Sequence, residues 1–127
     1  MVNRYSKGRA TRSKVLGEAH VARSEAQKTA FDEPFVNLIT EAAWGHVWSR
    51  ETITHRERSM LTLALLAGLG NDHEFALHLR ATANTGATED DILEVLMHVA
   101  IYAGVPRANN AFRIAREVYA EMKKAKG

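Results

Sequence analysis

Six histidines and no cysteine among 127 residues leave imidazole, carboxylate and guanidinium as the groups able to do chemistry in this chain. Without a thiol there is no disulfide scaffold, no cysteine zinc site, no iron–sulfur cluster and no thiol nucleophile. The histidine spacing also argues against metal. A zincin-type pair needs two histidines at i and i+4 around a glutamate, whereas His73 and His78 are five apart and diverge by about 140° on a helix. A better arranged line is Glu94, His98 and Tyr102, spaced i, i+4, i+8, which stacks along one side of a helix. Such a line can hold and polarise an imidazole; it equally suits a boundary stripe in which His98 and Tyr102 cover the core edge and Glu94 faces water. Glu74, His78 and Thr82 form a second line of the same kind. Arg80 lies two residues beyond His78 and faces elsewhere, unless a helix from a neighbouring subunit closes over it. Glu57 has two compatible readings. As the N3 residue of a Thr54 capping box it is tied to backbone; beside Arg56 and Arg58 it is also an ionised carboxylate at a helix start. Trp44 and Trp48, four apart, share a face that fills a core or a subunit contact, or walls a pocket.

The elements that must position these groups are helices. The length suits one domain, residues 1–127, and 46% hydrophobic with 25% charged residues is ordinary for a globular chain. The run Met60 to Leu69 is far short of the roughly 20 apolar residues of a spanning helix, and the first 30 residues lack a secretory apolar region, so a cytoplasmic protein is expected. Those 30 residues carry seven Lys and Arg against two Glu, a net +5 that leaves −3 for the remainder. With no nucleic-acid-binding spacing following it, this basic arm and helix reads as solvated, partner-facing or subunit-contacting, with no nucleic-acid or membrane partner.

Asp32, Glu33 and Pro34 open a helix through Phe35, Leu38, Ile39 and Ala42 toward Trp44, with Gly45 as its stop. Thr54 opens the apolar helix that ends at Gly70 and should be central. Asn71 opens a third, with Phe75, Leu79 and Thr82 on one side, ending at Gly86. Thr88 caps a fourth, reaching Gly104, whose Ile92, Val95, Leu96, Val99 and Tyr102 follow the period of a buried face. Pro106 starts the last, with Phe112, Ala115, Val118 and Tyr119 apolar and Lys123, Lys124 and Lys126 at its dipole's negative end. No two-residue alternation occurs. The fold predicted is all-α, a compact bundle of about five or six helices.

Three stretches carry a resemblance to a known family. The runs HVARSEAQKTAFDEPFVNLITEAAWGHVWSR, THRERSMLTLALLAGLG and HLRATANTGATEDDILEVLMHVAIYAGVPRANNAF closely resemble the gamma-carboxymuconolactone decarboxylases of aromatic-acid catabolism, within the alkylhydroperoxidase-like superfamily. The likeness runs from Arg4 to about Met122. RERSMLTLA, the TGAT segment and YAGVP look like the broad superfamily signature, while TEAAWGHVWSR and HLRATANTGAT look like the decarboxylase branch. In the peroxidase branch a Cys-x-x-Cys-x-x-x-His segment, aligned on His78, puts its thiols at Asn71 and Glu74; without them peroxidase chemistry is excluded. Arg107 and Asn110 stand where relatives more often have Ala and His.

The resemblance implies a homo-hexamer with sites near subunit contacts, a small carboxylated lactone as substrate, and decarboxylation without cofactor or metal. On that footing His78 is the proton donor and Glu57 orients it or shares its proton. Arg80 and Arg58 bind carboxylate, His98 and Tyr102 hydrogen-bond the lactone, and Trp44 and Trp48 form an apolar wall. The alternatives are a lyase or isomerase for a related carboxylated lactone, and a non-catalytic helical oligomer or binding protein on the same scaffold.

Overall fold

A computed structural model describes residues 3–126, and no strand occurs among them. The chain divides into two compact units, residues 1–55 and 56–127.

In the N-terminal unit, Asn3 caps α1 (Arg4–Leu16) by accepting the Ser6 N–H at 2.7 Å. Gly17, at φ 94°, then turns the chain directly into α2 (Glu18–Gln27), a conformation for which glycine is the default. The basic segment is therefore two helices, α1 and α2. Its Arg9 clasps α1 to α2, with Nε and Nη2 on the two oxygens of Glu25 at 3.0 and 2.8 Å and Nη2 on Glu18 at 2.9 Å. Hydrogen bonding to Arg9 holds both carboxyls below their ordinary range.

The helix α3 (Glu33–Ile39) starts at Asp32 with Pro34 in its first turn, as the sequence predicts, although the Asp32 carboxylate turns back to the Thr29 N–H at 2.8 Å. It does not stop at Gly45. It widens without a break into a π-helix, Thr40–Val47, closed by the Trp48 N–H on the Ala43 carbonyl at 2.8 Å, an i to i−5 bond. Gly45 is buried inside that segment for a non-local reason. A Cβ there would sit 2.4 Å from the Arg4 carbonyl oxygen, and a Cβ on Gly8 would sit 2.0 Å from that of Thr40. The two glycines let the backbones of α1 and the π-helix cross in direct contact.

The C-terminal unit follows the predicted caps more closely. α4 (His55–Leu69) begins directly after Thr54 and ends at Gly70, φ 76°. α5 (Asp72–Arg80) starts after Asn71 as predicted, although the Asn71 side chain makes no cap hydrogen bond, and buries Phe75 and Leu79; a short α6 (Thr82–Thr85) ends at left-handed Gly86. The break between them was not predicted; the Thr82 hydroxyl donates to the Leu79 carbonyl at 2.6 Å in place of a regular turn. α7 (Glu89–Tyr102) starts on a complete capping box, Thr88 with Asp91, and α8 (Val105–Lys126) starts with Pro106 in its first turn.

Leu63, Phe75, Leu79, Ile92, Leu96 and Val118 make a core with almost no exposure. Two expectations fail here. Tyr102 is 80% exposed rather than buried, and α4 is only half central, since Leu61, Leu65 and Leu69 are 57%, 64% and 67% exposed. With α1 and α2 separate and α5 divided from α6, the helices exceed the five or six predicted. None among the described residues is long and apolar enough to cross a membrane.

Candidate active site

His78 lies in the last turn of α5, 9% exposed. Phe75, Leu79 and Thr82 bury the same flank of the chain, so packing drives the imidazole inward, while His73, five residues earlier, is exposed. The divergence predicted from their spacing is what the helix delivers. Thr82, one turn beyond His78, is buried and Glu74, one turn before it, is exposed, so this line runs from solvent into the interior.

Glu57 and Arg58 occupy the first turn of α4, Glu57 exposed and Arg58 half-buried. That turn is held by its neighbour. The Arg56 guanidinium donates from Nε and Nη2 to both oxygens of Asp91, the Nε bond being 2.8 Å. Asp91 also accepts the Thr88 N–H at 2.9 Å. The Arg56 hydrogen bond, then that of Thr88, pull the Asp91 carboxyl down to about 2. This clamp between the starts of α4 and α7 was missed in the sequence, although Thr88 with an acid three residues on is a visible capping signal.

Arg80 is engaged at the surface, its Nη2 3.3 Å from a Glu121 carboxylate oxygen on α8, with both side chains half or more exposed. His98 and Tyr102 do come together, rings stacked at 5.0 Å and 26°, but on an exposed face with Glu94 also in solvent. No hydrogen bond joins Glu94 to His98 among the described residues, so the predicted polarising line exists as a ring stack only. Trp44 and Trp48 belong to the N-terminal unit, where both are buried and stack at 5.0 Å and 28°. Trp48 also meets the edge of His55 at 5.9 Å. Arg107 and Asn110 have structural surroundings. The Arg107 guanidinium lies against Gly70, where a Cβ would meet it at 2.0 Å, and Asn110 donates to Asp72 at 2.8 Å.

A feature the sequence did not signal is an open cleft of about 480 Å³ between α7 and α8, lined by Ile92, Leu93, Phe112, Arg116, Tyr119 and Lys123 among others. The Tyr119 hydroxyl is buried there without a hydrogen-bond partner. Burial first, then the charges of Glu89 and Asp91, push it up to about 12, so it is a neutral donor at any physiological pH. None of the eight residues predicted for the site lines this cleft. Among the described residues, no three His, Asp or Glu side chains cluster so as to hold a metal.

Comparison with known proteins places these features in a family. The sequence profile of the carboxymuconolactone decarboxylase family matches residues 33–117. The chain is 42% identical to the 4-carboxymuconolactone decarboxylase of Acinetobacter baylyi over 94% of its own length and 89% of that protein. It is 36% identical to the nitrosuccinic acid decarboxylase of Metarhizium robertsii, over 93% of its length and 82% of that one. Both the matched span and the extent of these likenesses lead to one conclusion: the chain belongs to the carboxymuconolactone decarboxylase family.

Proposed function

We propose that this protein decarboxylates 4-carboxymuconolactone to the enol-lactone of beta-ketoadipate, a step of aromatic-acid catabolism. The observation that carries the reading is the near full-length likeness to the Acinetobacter enzyme. The reaction is self-sufficient in electrons. The bond from the quaternary ring carbon to its carboxylate breaks, CO2 leaves, and the electron pair runs through the ring double bond into the lactone carbonyl. The resulting dienolate takes a proton at the carbon next to that carbonyl. The protein must then supply donors for the developing oxyanion, an acid for the carbon and a cation for the carboxylate that stays.

His78 is our choice of acid, a reading supported by its burial among apolar neighbours, with Glu57 orienting it or sharing its proton. Arg58 is the first choice for gripping the retained carboxylate, its planar fork matching both oxygens. Arg80 can join it on releasing Glu121, an exposed ion pair of the kind that contributes little. His98 and Tyr102 serve the lactone oxygens from their exposed stack, and Trp44 and Trp48 serve as apolar wall. His78→Gln is expected to cut turnover at least ~100-fold; near-normal turnover in the folded variant removes it from the mechanism.

The exposed rows Leu61, Leu65, Leu69 on α4 and Leu93, Met97, Ile101 on α7 support assembly with further copies, proposed as a hexamer. Light scattering would then give close to six times 14.1 kDa. That the family match spans residues 33–117 supports reading both units as parts of one domain. A cytoplasmic location completes the proposal.

The Metarhizium likeness favours a second substrate. Nitrosuccinate, like the lactone, carries its departing carboxylate on a carbon that also bears a carboxymethyl arm, and its nitro group takes up the electron pair as a nitronate. One ultraviolet assay of lactone consumption, with and without chelator, tests the main reading. Turnover unaffected by chelator is expected; no turnover defeats the lactone, and nitrosuccinate turnover alone would transfer the reading to the second substrate.

A further inference from the structure

The basic surplus of the N-terminal region is concentrated on one side of α1. Arg9 is spent on Glu18 and Glu25, and Arg12 donates to Ser24 at 3.1 Å. Lys7 and Lys14 form no ion pair among the described residues. With Thr11 they are spaced i, i+4, i+7 and so share a helix face. Facing them is the segment 49–55 that follows the π-helix, and between the two lies an open cleft of about 480 Å³, lined by Lys7, Thr11, Lys14, Ser49, Arg50, Glu51, Ile53, Thr54 and His55. Thr11 and Ser49 join the walls through a 2.7 Å hydrogen bond, and Ser49 donates onward to the Trp44 carbonyl at 2.6 Å, so Thr11 is the donor between them.

We propose that this cleft is a binding site for a small oxyanion carrying two or more negative charges, a phosphate or a polycarboxylate. Three fixed cations, Lys7, Lys14 and Arg50, with His55 beside them, face the single carboxylate of Glu51. The lining carries a formal surplus of two positive charges, which a monoanion leaves uncompensated and a dianion balances. The cleft is built within one unit from two segments, so it needs neither another copy nor the reaction proposed above. Arginine, lysine and hydroxyl groups together are the donor set that recognises phosphate and carboxylate oxygens.

The only two tryptophans of the chain, Trp44 and Trp48, adjoin this cleft as well as serving the wall proposed above, so the charge reversals below identify which site a fluorescence change comes from. Trp44 lends its carbonyl to Ser49, and Trp48 meets His55, a lining residue. Intrinsic fluorescence of the full chain is titrated with inorganic phosphate and separately with propane-1,2,3-tricarboxylate, against sodium chloride at matched ionic strength. A saturable change with at least one of the two that chloride does not reproduce is expected, and which one saturates identifies the anion. The double variant Lys7→Glu, Lys14→Glu should weaken it by at least ~10-fold, the scale expected when two nearby charges are reversed at a solvated surface. Arg23→Glu, a single charge reversal at an exposed position of α2 outside the cleft, should leave it within about twofold. No saturation beyond the chloride response, an equal loss in Arg23→Glu, or tighter binding of a single-stranded oligonucleotide than of either small anion would overturn the proposal. Circular dichroism of the variants shows that each is folded, and no readout depends on turnover.

Discussion

The two units of this chain solve the same packing problem in opposite ways. In the N-terminal unit, main chain rests on main chain: Gly8 and Gly45 have no room for a single added carbon where α1 crosses the π-helix. In the C-terminal unit, side chains do the filling, with Phe75, Leu63, Leu79, Ile92 and Leu96 interlocked and the start of α7 closed by a capping box. A side-chain core tolerates small changes of volume because rotamers can shift, whereas a backbone crossing has no such freedom. Glycine therefore means different things in the two units, and substitution is the way to separate them.

The largest effect is expected from Gly8→Ala, whose new carbon would lie 2.0 Å from the Thr40 carbonyl oxygen. Relief requires the helices to part, so a loss above ~3 kcal/mol is expected, beyond the ordinary range for overpacking; urea unfolding that matches the parent would refute the crossing. Next comes Leu63→Ala in the opposite unit. It removes a fully buried side chain and should cost ~2–5 kcal/mol by the same measurement, the spread depending on how far the cavity collapses. Smaller and opposite in sign is Gly68→Ala. Its Cβ would meet only the Ala103 methyl at 3.4 Å, so the gain in helix propensity should show as ~0.5–1 kcal/mol of added stability. If Gly8→Ala and Gly68→Ala shift the unfolding midpoint alike, the contrast between the units is wrong.

The smallest effect sharpens the role of the caps. Asp91, held down to about 2 by Arg56 and Thr88, has a folded value below its ordinary one. The stability it contributes is complete above the ordinary value near 3.8 and is lost as pH falls through about 2. Acid titrations followed by circular dichroism should show Asp91→Asn converging with the parent over that window and lying below it at neutral pH.

What the sequence made legible follows from the range of the forces involved. The starts of α3, α7 and α8 and the buried flank Phe75, Leu79, Thr82 came from local rules of capping and period, and those rules operate within a few residues. Gly45 was misread because a glycine stop is a local rule while its actual partner, Arg4, is 41 positions away along the chain. Tyr102 continued the period of α7 yet lies in solvent, since period identifies a face but not how far along it a neighbour reaches. The rows on α4 and α7 are apolar in sequence yet exposed in the structure, because an apolar side chain does not itself say which neighbour covers it. For the site, the burial of His78 was readable from its neighbours. The Arg56–Asp91 clamp and the engagement of Arg80 by Glu121 were not, being pairings across 35 and 41 residues that no spacing rule reaches.

The π-helical segment has a consequence for chain length. A helix closed by i to i−5 bonds holds one residue more per turn of hydrogen bonding than an α-helix. Removing one residue between Thr40 and Ala43 would let the segment relax to ordinary α geometry without breaking its continuity. Everything after the deletion would then rotate by about 100° relative to α3, carrying Gly45 away from the Arg4 carbonyl while Thr40 stays against Gly8. Between Thr40 and Val47 the chain is specified by its count of residues as strictly as by their identity, and relatives differing there by one position will present a different wall to the same neighbours.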